Sequence, residues 1–317
     1  MKKRVILDLD MGFDDTVCLW LAMLHKKINV DGITLVHGNT SMDNIKKNIF
    51  KALDMINQNK KVKVYEGESS PLQDFKVNTD DFAHGSNGFS GLIYDPIPGI
   101  IEKENAVDFL IEHVNNNPNK ISIIAVSPLT NIAKAIQKNK DFAKNIKELI
   151  IMGGAENYGN ITPYAEFNFY KDPKAANIVF NSGIKNIVTI GFNVTKKVTF
   201  DFQLEALLNN PYNKQGKFLY DISRSCAMLN ISQDGTDGAI INDAINICYL
   251  LNPKLLKLEK ANIQIELEDK EKLGMCKITN DNPNCLLAKD VDEKKCKYLI
   301  FTTLFPELNE QIKSIIK

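Results

Sequence analysis

Four aspartates lie within eight residues near the start of the chain, at Asp8, Asp10, Asp14 and Asp15. Like charges so close repel one another unless a cation lies among them or some of the groups are protonated. All-oxygen ligation is typical of Ca²⁺ or Mg²⁺, and the lack of a Cys or His pair at ligand spacing argues against zinc. We therefore predict a cation site here. For Asp8 alone, a structural hydrogen-bonding role inside the sheet is the better interpretation. The alternative for the cluster is that two aspartates cap the first helix and one faces solvent.

Two further polar segments could contact a ligand. Glu166 and Asn168 are two positions apart, so in an extended stretch they would face the same way and could hold adjacent hydroxyls of a sugar. The same loop could also be a simple connection. Asp243 precedes an apolar helical segment, where an aspartate is usually an N-cap or a first-turn charge.

The elements that must position these residues alternate between short β-branched runs and longer helical patterns, which favours βαβ units around a parallel sheet. We predict strands at 4–10, 30–36, 62–65, 121–126, 149–152 and 187–190, with helices near 14–25, 45–56, 106–114, 129–137 and 173–180. The last hundred residues differ, with predicted helices at 212–228 and 239–251, strands at 263–267 and 275–278, and a closing helix. The expected fold is one α/β domain over residues 1–317, with a mostly parallel, Rossmann-like central sheet flanked by helices.

Acids, amides and glycines recur at the carboxyl ends of the predicted strands. Open parallel sheets bind ligands in the crevice outside those ends. The segments concerned are 10–15, 38–39, 127–131, 153–154 and 191–193. We therefore expect the candidate site at this edge of the sheet.

The composition limits the class of partner. The 317 residues include 39 Lys plus Arg and 39 Asp plus Glu, so a surface for nucleic acid is not indicated. No apolar run reaches the ~18 to 20 residues of a membrane span, and we expect a soluble, cytoplasmic protein without membrane contact. The six cysteines form no C-x-x-C pair and are expected to be reduced. With only two arginines, a neutral ligand is favoured over a phosphorylated one.

The order and spacing of these segments resemble the inosine-uridine preferring nucleoside hydrolase family over residues 4–253. The family's opening pattern D-x-D-x-G-x-D-D is matched from Asp8 to Asp15. Further matches are Gly38-Asn39, His84-Gly85 with Gly88, Pro128 to Asn131, Met152 to Gly154, Ala165 to Asn168 with Asp172-Pro173, and Asp243-Ala244 leading to Asn252-Pro253. Each fragment is weak alone, but the combination is specific.

The resemblance implies an N-ribohydrolase with a nucleoside substrate and one bound Ca²⁺. It implies Asp10, Asp15, Asp243 and the backbone carbonyl of Val126 as metal ligands. It also implies that ribose or the attacking water is oriented by Asp14, Asn39, Asn160, Glu166, Asn168 and Asp243, with Met152 on the sugar face. Asp10 would take the proton of the water. The family's dimers and tetramers suggest a homodimer or homotetramer by analogy.

The sequence departs from the family at Asn242, where much of the family has a histidine taken to protonate the departing base. An amide cannot act as a general acid near neutral pH. His84 matches a second site near the base and could assist, and His37 is an extra imidazole close to the predicted pocket. Base contacts are expected from residues 75–95 and 209–240.

Three hypotheses follow from this departure. The chain could hydrolyse ordinary nucleosides with help from His84, stacking or water. It could prefer ribosides with activated leaving groups, such as nicotinamide riboside, or it could be a catalytically weak protein that binds nucleosides or ribose. A phosphatase of the haloacid dehalogenase type is a rival, because Asp8, Asp10 and Ser127 echo its motifs. No convincing downstream lysine and aspartate pair completes that pattern.

Overall fold

The computed structural model describes residues 2–72 and 83–316, and a long central sheet runs through this part of the chain. Its strands are β1 (Lys3–Leu9), β2 (Ile28–Leu35), β3 (Val64–Glu66), β4 (Ile101–Glu102), β5 (Ile121–Ala125), β6 (Glu148–Met152), β7 (Ile187–Ile190), β10 (Leu256–Ile265), β11 (Cys276–Thr279) and β12 (Cys285–Val291). The order across the sheet is β11-β10-β12-β7-β6-β5-β1-β2-β3-β4. Two short strands, β8 (Thr199–Asp201) and β9 (Gly238–Ile240), form a separate antiparallel pair.

The sheet is parallel from β12 to β4, and only β10 and β11 join it in antiparallel fashion. Asp8 of β1 lies between Thr34 of β2 and Ala125 of β5 in the strand register. The residues that follow these three strands therefore emerge together at one edge. This confirms the predicted fold class.

Helices cover both faces of the sheet. They are α1 (Phe13–Leu24), α2 (Met42–Met55), α3 (Ala106–Asn115), α4 (Thr130–Lys138), α5 (Lys140–Asn145), α6 (Phe167–Lys171), α7 (Pro173–Phe180), α8 (Phe192–Thr195), α9 (Phe202–Leu208), α10 (Lys214–Asp234), α11 (Ala244–Leu251), α12 (Glu293–Leu304) and α13 (Asn309–Ile315). Short 3₁₀ turns lie at Pro253–Leu255 and Pro306–Leu308. None of the helices in the described ranges is long and apolar enough to span a membrane.

Side-chain alternation along β1 divides the core between the two faces. Val5, Leu7 and Leu9 pack into one hydrophobic cluster, and Ile6 packs into the other. A strand buried on both faces has this near-continuous apolar sequence. The sheet is therefore held between two helical layers, and the polar segments are left at its edge.

Most of the predicted elements are confirmed, many with boundaries within two residues. Larger differences occur at α10, which ends at Asp234 instead of residue 228, and at β10, which begins at Leu256 instead of residue 263. The predicted helix 239–251 is wrong in its first part, because residues 238–240 form β9 and α11 begins only at Ala244. The strand β12 was not predicted, although it extends the central sheet beside β7. All six cysteines are free thiols, as expected.

Candidate active site

Three buried aspartates meet at the predicted edge of the sheet. One carboxylate oxygen from each of Asp14, Asp15 and Asp243 lies within 4.8 Å of the others. Within the described chain, Oδ1 of Asp14 is buried without a hydrogen-bond partner. Three oxygen donors and an unpartnered carboxylate oxygen fit a hard divalent cation. This group of three residues is called the acidic cluster below.

The turn between β1 and α1 creates the first half of the acidic cluster. Met11 has a positive φ of 53°, and Gly12 is the N-cap of α1. Asp15 accepts hydrogen bonds from the backbone N–H groups of Asp10, at 3.1 Å, and Gly12, at 2.7 Å. A Cβ on Gly12 would lie 2.5 Å from Nδ1 of His84. The turn therefore needs glycine at this position and holds Asp14 and Asp15 in the first turn of the helix.

The second half comes from the start of α11, which packs against α1. Asp243 is the N-cap residue of α11, but its side chain makes no capping hydrogen bond. The expected capping role is therefore not what this carboxylate does. It is 2% exposed and belongs to the acidic cluster.

Asp10 lies beside the acidic cluster and is joined to it by Asn39. The backbone N–H of Asn39 donates to Asp10 Oδ2 at 2.9 Å, and its side-chain amide donates to both Asp10 Oδ1 and Asp15 Oδ2 at 3.1 Å. A Cβ on Gly38 would lie 1.7 Å from Asp10 Oδ2, so a side chain is excluded there. The roles of Asp10 as metal ligand and proton acceptor stay predictions.

Asn242 bridges the acidic cluster and α8. Its Nδ2 donates to Asp14 Oδ2 at 2.9 Å, and its Oδ1 accepts from the hydroxyl of Thr195 at 2.7 Å. Both polar atoms of the amide are therefore engaged. Sequence reasoning did not single out Thr195.

Glu166 and Asn168 converge on the same region, but not in the extended conformation that we expected. Glu166 is the N-cap of α6, and its carboxylate accepts from the N–H groups of Asn168 and Gly154, both at 2.8 Å, and of Phe169 at 3.3 Å. The side-chain amide of Asn168 donates to the carbonyl oxygens of Val126, at 3.2 Å, and Met152, at 3.1 Å. The prediction of an extended pair was wrong because the carboxylate starts a helix.

These groups surround a cavity of about 250 Å³. The predicted residues that line it are Asp14, Asn39, His84, Val126, Met152, Asn160, Glu166, Asn168, Asn242 and Asp243. Among the residues described, Asp10 and Asp15 do not line the cavity. Asn160 lies at its rim, where Oδ1 accepts from the N–H of Phe167 at 2.9 Å.

Further lining residues were not named individually from the sequence. They are Ala83, Ile161, Phe167, Phe192, Cys226, Leu229, Asn230, Gln233, Asp234 and Ile240. Phe192 directly follows Gly191 after β7, and its position at the end of a strand could have identified it as a site residue. The residues from α10 fall in the range 209–240, where base contacts were expected.

Burial and mutual repulsion raise the pKa values of the acidic groups. Burial and then the charge of Asp14 raise the pKa of Asp15 to about 6, and burial raises the pKa of Glu166 to about 7. The pKa values of Asp10 and Asp243 lie well above the usual range, first because of burial and then because of neighbouring carboxylates. A cation would relieve this repulsion.

His84 closes the cavity beside Asp14. The N–H of Phe13 donates to His84 Nδ1 at 3.2 Å, and Nε2 lies 3.7 Å from Asp14 Oδ1. With Nδ1 as acceptor, the proton of the neutral ring lies on Nε2. Burial disfavours the charged ring, but Cys226, Asp14 and Asp15 outweigh it and raise the pKa of His84 to about 10. The charged ring can form only if Nδ1 gives up the bond from Phe13.

Two other predicted features lie away from the cavity. His37 contacts the hydroxyl of Thr130 at 2.8 Å, and burial lowers its pKa to about 4. Asp8 is buried and accepts from Thr34, Asn131 and Ser127. Asp8 therefore has the structural role expected for it. Asp8 and Ser127 contact each other and neither lines the cavity, which argues against the hypothesis of a phosphatase.

Comparisons with known proteins show which family this chain resembles. A family model described as inosine-uridine preferring nucleoside hydrolase matches residues 5–298. The chain is 33% identical over 290 residues to a probable uridine nucleosidase 2 from Oryza sativa subsp. japonica, covering 89% of this chain and 86% of the relative. It is 31% identical over 266 residues to the pyrimidine-specific ribonucleoside hydrolase RihB of Escherichia coli strain SE11, covering 84% of each.

Solved structures share the fold. A purine-preferring ribonucleoside hydrolase from Gardnerella vaginalis superimposes with a TM-score of 0.88 at 28% identity, covering 97% of this chain and 100% of that one. A plant nucleoside hydrolase, the PpNRh1 enzyme, superimposes with a TM-score of 0.89 at 27% identity, covering 96% and 99%.

Proposed function

Because the chain belongs to the inosine-uridine preferring nucleoside hydrolase family and is therefore a nucleoside hydrolase, we propose that it cleaves ribonucleosides to ribose and free base in a Ca²⁺-dependent reaction. The observation that carries the calcium dependence is the acidic cluster. Its three carboxylates are buried, those of Asp14 and Asp243 line the cavity, and Asp14 Oδ1 has no hydrogen-bond partner among the described residues.

The proposed ligands come from two sources that overlap. Asp15 and Asp243 belong both to the acidic cluster and to the set implied by the family pattern, and they have the strongest support. Asp10 and the carbonyl of Val126 complete the set by the family pattern alone. Ca²⁺ held there would lower the pKa of a nearby water and help to hold the ribose diol.

The chain's own side chains would stabilise the sugar as it becomes positive. Cleavage of an N-glycosidic bond builds positive charge on the sugar ring, and preorganised carboxylates and amide oxygens favour that charge. Asp14 and Glu166 supply carboxylates at the cavity wall, and Asn168 is held against Val126 and Met152. Asp10 would accept the water proton, with Asn39 fixing both of its carboxylate oxygens.

The leaving base is proposed to occupy the part of the cavity formed by α10 and the aromatic residues. Phe167, Phe192 and Ile240 supply apolar surface, and Asn230 and Gln233 supply polar groups. Asn242 cannot protonate the base, since an amide is not a general acid near neutral pH. Only the charged imidazolium ring is a competent acid near neutral pH. The raised pKa of His84 favours that form, and the charged ring is the proposed proton donor.

A second candidate substrate class follows from Asn242. Its amide is bonded at both ends, to Thr195 and Asp14. Ribosides whose base leaves without a proton, such as a cationic nicotinamide riboside, would not need an acid at this position. We propose these as substrates of the same site.

The test measures ribose and base released from inosine and uridine, before and after chelation and after adding back Ca²⁺ or Mg²⁺. We expect release that chelation abolishes and Ca²⁺ restores. Asp15→Asn should behave like the chelated protein, whereas Asp108→Asn, which changes a surface partner of Lys138, should match the wild type. Absence of ribose release from either nucleoside, or full activity after complete metal removal, would contradict the proposal.

A further inference from the structure

The position of Asn242 is determined by a short scaffold that ends at Thr195. The register of the small sheet pairs Thr199 with Ile240, and the N–H of Ile241 donates to the carbonyl of Val198 at 2.8 Å. These bonds bring residue 242 alongside the last residue of α8. Thr195 is fully buried there and contacts Asn242 across 47 positions of sequence.

The hydroxyl of Thr195 supports the orientation of the Asn242 amide that the Asp14 carboxylate requires. It donates to Asn242 Oδ1 at 2.7 Å, and its alternative acceptor, the carbonyl of Phe192, lies at 3.5 Å. With Oδ1 turned to Thr195, the amide nitrogen must face Asp14. The reverse orientation would point an oxygen at the Asp14 carboxylate, and two acceptors at 2.9 Å repel.

The amide in turn holds Asp14 by one oxygen only. Oδ2 accepts from Asn242, whereas Oδ1 has no hydrogen-bond partner in the described chain and lies 3.7 Å from His84 Nε2. This leaves Oδ1 available to a ribose hydroxyl or a cation. A carboxylate free to rotate would lose this preorganisation.

We propose that Thr195 is a positioning residue for Asp14, acting through Asn242. The Thr195 hydroxyl holds the Asn242 amide, the amide holds Oδ2 of Asp14, and Oδ1 of Asp14 then faces the ligand. The effect on ligand binding rests on the proposed ribose site, but the series of hydrogen bonds from Thr195 through Asn242 to Asp14 does not. Thr195 does not itself line the cavity, and Asn242 is the cavity residue whose side chain its hydroxyl contacts.

The test compares Thr195→Val, which removes the hydroxyl, with Thr195→Ser, which keeps it. Thr199→Val is the matched control, because Thr199 is also buried and donates one side-chain hydrogen bond, to Asp237 at 2.6 Å, outside the cavity. Thr195→Ala serves if the valine variant does not fold. Ribose binding is measured by calorimetry with Ca²⁺ present, and each variant is also crystallised.

We expect Thr195→Val to bind ribose about 5- to 10-fold more weakly, the effect of one lost hydrogen bond. Thr195→Ser and Thr199→Val should bind like the wild type, although both valine variants should unfold at a lower temperature. In the crystal of Thr195→Val, the Asn242 amide should rotate away from Asp14. Thr195→Val in an Asn242→Ala background should cause no further loss of ribose affinity, because Thr195 acts on Asp14 only through Asn242.

Unchanged ribose binding by a folded Thr195→Val, or a loss that adds fully to that of Asn242→Ala, would overturn the proposal. So would a crystal in which Asn242 still donates to Asp14 without the hydroxyl. If the wild type itself neither binds nor releases ribose, the proposed function fails, and the crystal comparison still decides the role of Thr195.

Discussion

The side-chain amide of Asn242 donates a 2.9 Å hydrogen bond to Oδ2 of Asp14, a residue 228 positions earlier in the chain. The other end of the amide accepts from Thr195. An asparagine held in this way can orient a carboxylate but cannot give a proton to a leaving base. Family membership therefore identifies the reaction class, and this contact indicates that Asn242 does not protonate the departing base.

The first prediction concerns leaving groups. General acid help is commonly worth about 10²- to 10⁴-fold, and residue 242 cannot supply it. We expect nitrophenyl riboside and nicotinamide riboside to be cleaved at least ~10-fold faster than inosine or uridine, as measured by steady-state kcat/KM. Equal or better turnover of inosine would contradict this prediction and would leave His84 as an efficient proton donor to the base.

A second prediction concerns Gly38. A Cβ at this position would lie 1.7 Å from Asp10 Oδ2, so Gly38→Ala must displace the Asp10 carboxylate from Asn39. We expect kcat/KM for uridine to fall by about 100-fold, in the range for misplaced catalytic groups. Gly183→Ala is the control: it has a φ of +76° but meets no atom within 4 Å, so it should lower the melting temperature and leave the kinetics intact. Unchanged kcat/KM in Gly38→Ala would show that the position of the Asp10 carboxylate does not matter for catalysis.

The third prediction concerns the carboxylate of Glu166, which accepts three backbone N–H bonds at the start of α6. Glu166→Gln replaces one acceptor oxygen by a donor that faces N–H groups. We expect a loss of about 1 to 3 kcal/mol in the free energy of unfolding. Activity should fall as well, because Asn168 shifts with the helix.

Denaturant titration and uridine kinetics check this prediction together. Glu156→Gln is the control, since Glu156 is partly exposed and pairs with Lys289. A Glu166→Gln variant as stable and as active as the control would show that the cap is dispensable.

A fourth prediction concerns acid stability and His37. Burial lowers the pKa of His37 from 6.5 to about 4. Between those values the unfolded chain binds the proton and the folded chain does not, so stability is lost as the pH falls through this window. From pH 7 to pH 5 this group should remove about 2 kcal/mol from the free energy of unfolding.

His37→Gln should therefore lose less stability than the wild type over that pH range, as measured by denaturant unfolding at both pH values. Other titrating groups cancel in the comparison. His25→Gln, at a partly exposed ring, should keep most of the wild-type pH dependence. An identical pH dependence in His37→Gln and wild type would show that this histidine is not held neutral by the fold.

The parts of the fold that could be predicted are those fixed by local patterns. The helix predicted at 173–180 has the observed bounds Pro173–Phe180, because Asp172 caps it and Pro173 starts it. The strand-end argument placed Asp14 and Asn39 at the edge where the cavity lies, since parallel register aligns the strand ends. The site roles of Asn168 and Asp243 came from the family resemblance. These predictions needed no knowledge of distant contacts.

The parts that could not be predicted depend on partners far away in the sequence. The strand β12 has no clean alternation, and its place beside β7 comes from pairing across about a hundred residues. Thr195 is the last residue of a four-residue helix, and nothing local marks its contact with Asn242. The Glu166 cap is local, since the carboxylate accepts from the N–H groups of Asn168 and Phe169, and it was missed because the segment was predicted to be extended.

The most direct test of the central claim is a crystal structure of the protein soaked with Ca²⁺ and ribose, with the ion identified by its anomalous signal. The account predicts one ion contacting carboxylate oxygens of Asp15 and Asp243, with the ribose hydroxyls beside it and Asp14 in contact with the sugar or the ion. An acidic cluster without an ion at saturating Ca²⁺, with ribose absent or bound elsewhere, would contradict it.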